Sequence, residues 1–252
     1  MSADNVFDTA ELATGYATQR PPIHAVIIER ARPRLGFGER VDLAVDVGCG
    51  AGSSMRPVLS LARRCVGVDP SPSMIHRAVA VVPEASFVVG RAESLPLRAR
   101  AAQLITAAGS LNFVDLAAFY EEVRRVLTPD GVLLVYDFGA GRSSKATESL
   151  DQWYSELLAR WPAPRDGRHA VDPEVLAQGP LDVRAFERLT VDVELSLDAY
   201  VGYVMTQTNI SSAIRSGTPE SAIRSWCEAT LRPIFTTTRY VEFPAYYACL
   251  TA

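Results

Sequence analysis

The sequence lacks the marks of several protein classes. Its four cysteines, Cys49, Cys65, Cys227 and Cys249, are scattered with no C-x-x-C pair. That argues against a structural zinc site or a disulfide framework, and for reduced thiols in the cytosol. No apolar run approaches the roughly 18 residues that a membrane span needs. The opening MSADNVFDTAELATGY has neither the basic segment nor the apolar stretch of a secretory signal. No block or stripe of basic residues is present, and 25 Lys and Arg stand against 29 Asp and Glu, so a nucleic-acid backbone is not an expected partner. Internal repeats and low-complexity segments are missing too. His24, His76 and His169 share no constellation, and Asp137 and Asp172 form no evident ligand set, so no metal is expected. What remains is a chain of 252 residues, long enough for one domain with a sizeable core plus a small cap. It is expected to be a cytoplasmic monomer or homodimer.

The apolar pattern alternates between two periods. Residues 5–35 repeat at helical spacing and are split by Pro21 and Pro22, since proline removes a donor and clashes with the preceding turn. VDLAVDV (41–47) reads as a strand buried on both faces. Further strands are expected at 65–69, 86–90, 103–109 and 132–138, with helices at 53–64, 71–82 and 115–127 between them. Ser71 and Pro72 suit the N-cap and first position of the second of these helices. TPDG (128–131) reads as a turn. This alternation predicts an α/β fold, a doubly wound and mostly parallel sheet, with ligands outside the carboxyl ends of the strands. Beyond Phe138 the pattern loosens. Helices are expected at 146–161, 197–208 and 219–235, a loose stretch at 162–181, and a strand at 186–195. One or two closing strands fall in 239–252, where Pro244 should confine the segment to an edge or a break.

The chemistry concentrates in DVGCGAGSS (46–54), directly after the first strand. A phosphate-binding P-loop needs a Lys after its last glycine, and Gly52 is followed by Ser53. A dinucleotide turn wants G-x-G-x-x-G, whose third glycine position holds Ser53 here. Gly48, Gly50 and Gly52 instead alternate, and Asp46 stands two places before the first of them. Asp69 ends the second strand, 21 residues after Gly48. A carboxylate there can accept hydrogen bonds from both ribose hydroxyls of a nucleoside. A nicotinamide-dependent oxidoreductase and a non-catalytic nucleoside sensor both remain open from these residues, although the glycine spacing disfavours the first.

The segments AVDVGCGAG, VGVDPSPSMI, GRAESLPL and RVLTPDGVLLVYDF together resemble a class I S-adenosylmethionine-dependent methyltransferase of the type 11 group. The likeness runs from about Phe7 to Phe138. It implies a Rossmann-like sheet of about seven strands, with an N-terminal helical lid and a helical cap inserted after the fifth. It also implies a cofactor site. Gly48, Cys49 and Gly50 would offer backbone to the amino-acid end of S-adenosylmethionine, and Asp69 would hold the ribose. Pro70 and Met74 would flank the adenine, Ala92 and Glu93 would read its edge, and Gly109 and Ser110 would line the methionine moiety. FDTAELATGYATQRPP is similar to the lid of the trans-aconitate methyltransferase-like branch, so Tyr16 and Arg20 would reach the cofactor carboxylate. Gln103 stands where the family usually has Asp, and Asn112-Phe113 where that branch tends to have His-Trp.

The resemblance implies one methyltransferase domain over 1–252, divided into a lid (1–38), a cofactor-binding core (39–138), a cap with one sheet strand (139–235) and closing strands (236–252). The expected activity is methyl transfer to a small-molecule acceptor, with oxygen slightly favoured over nitrogen or carbon, as a tailoring step in secondary metabolism. A non-methylating enzyme of the same fold is the alternative. Asn112, Trp153, Tyr154, His169, Tyr200 and Tyr203 are candidates for contact with the acceptor. No catalytic residue is singled out, because the leaving thioether is neutral and much of the rate can come from proximity and orientation.

Overall fold

The computed structural model describes residues 19–145, 147–164 and 171–252. Five parallel strands carry the first half of the chain: β1 (Val41–Val47), β2 (Ala62–Asp69), β3 (Ser86–Val89), β4 (Ala102–Ala108) and β5 (Leu127–Phe138). Two long strands from the second half, β6 (Asp182–Leu195) and β7 (Arg239–Thr251), extend the sheet as antiparallel neighbours. The order is β3-β2-β1-β4-β5-β7-β6. The chain therefore leaves β1 in one direction toward β2 and returns to its other side as β4. The carboxyl ends of β1 and β4 diverge there and leave a crevice, the usual ligand position in open α/β sheets.

Both faces are covered, which explains the continuous apolar strands. One face carries α1 (Ile23–Leu35), the short α2 (Met55–Val58) and the helices α5 (Ser149–Arg160), α7 (Leu197–Met205) and α9 (Glu220–Leu231). The other carries α4 (Leu116–Val126) and α6 (Pro173–Ala177). Ile23, Ile27, Ile28, Ala31 and Leu35 of α1 are all buried and pack over β5, β6 and β7, so this helix is a layer of the fold. The chain before Gln19 lies outside the described residues. Helix α3 (Pro72–Val81) starts as its sequence requires, with Ser71 Oγ accepting from Met74 N at 3.2 Å. Helix α4 is capped by Asp115, which accepts from Ala117 N and Ala118 N.

Several expectations are corrected. The helix expected at 53–64 shrinks to one turn, because Leu61 N bonds back to Val58 O and β2 starts pairing with β1 at Ala62. TPDG does not separate helix from strand. It bulges out of β5, whose Leu127 pairs with Ala102 and whose Val132 pairs with Leu104. The loose stretch 162–181 contains α6, capped by Asp172. The helix expected at 197–208 ends at Met205, where Thr206 Oγ1 bonds back to Tyr203 O, and α8 (Thr208–Arg215) begins afresh. Pro244 sits in an interior strand. Its carbonyl accepts from Gly139 N at 2.7 Å, so its missing N–H faces the place where β5 has just ended. The return bond to Gly139 is the one proline cannot make, and β5 ends at Phe138.

Among the described residues no helix is long and apolar enough to cross a membrane. Replacing Asp115 with Ala should lower unfolding free energy by about 1 kcal/mol in urea denaturation, the usual worth of an N-cap carboxylate. A change below about 0.3 kcal/mol would show that α4 is held by packing alone.

Candidate functional site

The crevice is built by the turn that leaves β1. Gly48, Gly50 and Gly52 have φ of 69°, 51° and 91°, a region that side chains with a Cβ rarely adopt. The loop hangs from β2, with Gly48 N and Cys49 N both donating to Val68 O. A Cβ on Gly48 would come within 2.3 Å of Ser110 Cβ, whereas one on Gly50 would meet nothing within 4 Å. The first glycine therefore admits the neighbouring strand end and the second faces open space. Ser110 Oγ donates to Val47 O at 2.9 Å, which ties the ends of β4 and β1 together.

Asp69 lies at the rim of this loop. Its carboxylate accepts from Gly50 N and from Ser71 N, both at 2.9 Å, so it shapes the glycine loop and the start of α3 at once. Pro70 beside it is exposed, and Met74 is buried beneath. Ala92 is buried after β3. Glu93 pairs with Arg91 at 3.4 Å and accepts from Asp115 N at 3.2 Å, so its carboxylate also anchors the approach to α4. Gly109, with φ of 59°, follows β4, and a Cβ there would lie 2.6 Å from Asp137 Oδ1. Asn112 is half-buried, and its Nδ2 is 3.5 Å from Asp137 Oδ2. The structure thus brings Gly48, Cys49, Gly50, Asp69, Pro70, Met74, Ala92, Glu93, Gly109, Ser110 and Asn112 to one edge of the sheet. Tyr16 and His169 lie outside the described residues.

The aromatic candidates lie in the cap. Trp153 and Tyr200 are buried, with Trp153 stacked on Trp226 and its Nε1 donating to Thr230. Tyr200 OH donates to Gly141 O and Tyr203 OH accepts from Gly141 N, so the two side chains clamp one backbone residue of the loop after β5. Tyr154 is buried against Trp153. Packing within the cap accounts for the burial of all four. Arg20 lies beside this cluster. It donates to Thr206 O, and its guanidinium stands 5.7 Å from the centre of the Tyr203 ring.

Three residues named from the sequence have partners that only the structure shows. Asp46 is fully buried and accepts from Ser54 Oγ and Thr106 Oγ1, both at 2.6 Å. Burial pushes its carboxyl up to about 6 against the pull of those hydrogen bonds. Gln103, the departure noted in β4, accepts from Leu43 N and so serves the β1 edge. His24, one turn after Arg20, shares a hydrogen bond of 3.1 Å between its Nδ1 and Tyr136 OH and sits edge-on to Tyr136 and Phe138. No local signal in the sequence points to His24, because its partner Tyr136 lies 112 positions away. Beside the crevice, Asp137 also lines an open groove of about 650 Å³ with Arg188, Thr190, Pro244 and Tyr246. Among the described residues no three His, Cys, Asp or Glu side chains gather as a metal site would require.

The chain is similar to several known proteins. Residues 45–135 match the family model described as a methyltransferase domain. A Dictyostelium discoideum protein named as a methyltransferase is 23% identical over 184 residues, 71% of this chain and 69% of its own length. The demethylmenaquinone methyltransferase of Chlorobaculum tepidum is 32% identical over 114 residues, and the match spans 44% of this chain and 47% of that protein. A type II methyltransferase structure from Anaeromyxobacter dehalogenans shares the fold, with a TM-score of 0.72 at 22% identity, covering 88% of this chain and 95% of that one.

Burial and the nearby Arg20 lower the His24 imidazole from 6.5 to about 4. The unfolded chain therefore takes up this proton first as pH falls, and stability should drop between about 6.5 and 4 and then level. Imidazole shifts followed by NMR should show a midpoint near 4, and His24→Gln should remove that part of the pH dependence. A His24 midpoint near 6.5 would contradict the packing described.

Proposed function

We propose that this chain, which belongs to the class I S-adenosylmethionine-dependent methyltransferases, methylates a hydroxyl oxygen of a small, moderately apolar molecule in the cytoplasm. It is an enzyme, and its methyl donor is S-adenosylmethionine. The observation that carries the site assignment is the turn after β1, where three glycines at positive φ bring backbone N–H groups and the Asp69 carboxylate to one open crevice. Its open face at Gly50 fits a ligand approaching the backbone. In this reading Gly48, Cys49 and Gly50 hold the amino-acid end of the cofactor, and Arg20 with Tyr16 meets its carboxylate. Asp69 takes the ribose, Pro70 and Met74 flank the adenine, Ala92 and Glu93 meet its edge, and Gly109 and Ser110 face the methionine chain. The domain division follows the same reading, with one domain whose second half forms the cap.

When bound, the cofactor supplies an electrophilic methyl on a sulfonium whose leaving group is a neutral thioether. The protein's part is then to orient the acceptor and exclude water, and proximity can supply much of the rate. The groove beside Gly109 supports the acceptor assignment. Asp137 gives it one carboxylate able to accept from a hydroxyl, and Leu189, Pro244 and Ala245 give it an apolar wall. A base is needed only if the acceptor must lose its proton in the step. Transfer to oxygen is supported by a relative named as a tocopherol O-methyltransferase, 29% identical over 128 residues, and a tailoring role in secondary metabolism is part of this reading. The binding partners are accordingly the cofactor and one small molecule, without nucleic acid or membrane, on a monomer or homodimer.

Titration calorimetry with S-adenosylhomocysteine should give micromolar binding to the wild type. Asp69→Ala should lose about 1.5–3 kcal/mol of it, as for hydrogen bonds to a charged group. No binding by the wild type would overturn the assignment. Unchanged binding by the variant would move the ribose contact away from Asp69.

A further inference from the structure

We propose that Asp46 is a positioning residue whose buried carboxylate, by accepting from the hydroxyls of Ser54 and Thr106, clasps the glycine loop shut and fixes it to β4 in the shape that binds the cofactor. The proposal rests on the reading of the crevice as an S-adenosyl site. Its ground is an anomaly in the packing. Asp46 occupies the sheet face whose neighbouring positions are Ala44 on its own strand, Leu104 on β4 and Leu134 on β5, all buried and apolar. An ionised carboxylate in that layer is costly unless its hydrogen bonds are well made. The two it makes are not incidental. Ser54 lies eight residues on, past the last glycine, so the bond at 2.6 Å closes the loop across its mouth. Thr106 is the register partner of Asp46 on the parallel neighbour β4. The loop is therefore fixed at both ends to the strand that leads to Gly109 and Ser110. Ser54 and Thr106 are themselves buried, so each hydroxyl has little water to turn to.

The same geometry gives the clasp a proton dependence. Among the described residues, the groups in electrostatic range of Asp46 are Asp69 from β2, Cys49 from the loop, Cys65 from β2 and Tyr136 from β5. Burial raises the Cys49, Cys65 and Tyr136 groups, which stay uncharged at neutral pH, so Asp69 is the other carboxylate in the set. The ionised Asp46 accepts from both hydroxyls, whereas the protonated form must place its own proton against one of them. Asp46 is held at about 6, and the two hydroxyls are what keep it from rising further. Affinity for the cofactor should thus fall as pH drops through that value.

Calorimetric titration with S-adenosylhomocysteine between pH 5 and 8, together with urea denaturation to verify folding, tests this. The Ser54→Ala/Thr106→Val chain should bind about tenfold more weakly at neutral pH, a loss of the size expected for these hydrogen bonds. Its affinity should also begin to fall at a higher pH than in the wild type. Thr106→Ser, which keeps the hydroxyl, should restore the wild-type profile, and Asp46→Asn should abolish the midpoint. If the double variant does not fold, Ser54→Ala and Thr106→Val singly should each show the upward shift. Wild-type affinity and midpoint in a folded double variant would overturn the proposal alone. Failure of the wild type to bind would overturn the reading of the crevice and the proposal with it.

Discussion

Everything at the proposed site depends on the backbone turn at the end of β1. Its carbonyl-side neighbours are fixed on both flanks, with Val68 O receiving Gly48 N and Cys49 N on one side and Ser110 Oγ bonded to Val47 O on the other. The chain has to turn within that gap, and positive φ at Gly48, Gly50 and Gly52 is how it does so. Gly48 is doubly constrained, because Ser110 fills the space a side chain would need. The strand order then matters, since only β1 has β2 and β4 on its two sides and so only its end opens onto both Asp69 and Gly109. The helix that follows, α2, is one turn, because Leu61 N bonds back to Val58 O and β2 begins pairing at Ala62.

The second half of the chain serves the first in a different way. β7 inserts between β5 and β6, so the sheet gains its antiparallel part on the β5 side, away from the glycine loop. The aromatic residues there form a cluster of buried Trp153, Tyr200 and Phe235 with half-buried Trp226, and Tyr203 packs against Phe243. Such rings contribute mainly through buried area and edge or stacked geometry. Their hydroxyls fix the loop after β5 at Gly141, close to where Asp137 and Gly139 border the groove. The cap helices therefore place the wall of that groove without lining it.

The parts of this arrangement that were legible in the sequence are those with a local cause. The glycine spacing signals a backbone demand, Ser71-Pro72 signals a helix start, and β-branched runs signal strands buried on both faces. Each is decided within a few residues of itself. What was not legible depends on partners far along the chain. Thr106 reads as one polar residue in an apolar strand, and only the register with Asp46 gives it a purpose. Pro244 suggests an edge until β5 is seen to stop beside it. Trp153 and Tyr200 carry the same residue types whether they face a core or a ligand, and helical spacing does not say which. His24 acquires its partner from Tyr136, 112 positions away.

The central claim is that the crevice at the ends of β1, β2 and β4 binds the S-adenosyl cofactor. Hydrogen–deuterium exchange with saturating S-adenosylhomocysteine tests it most directly, because it reads where binding acts, without needing the acceptor. The account predicts added protection in segments spanning 46–54, 69–75, 91–95 and 109–112, with little change along β6 or α9. Protection confined to the cap, or none in the glycine loop at saturation, would contradict it.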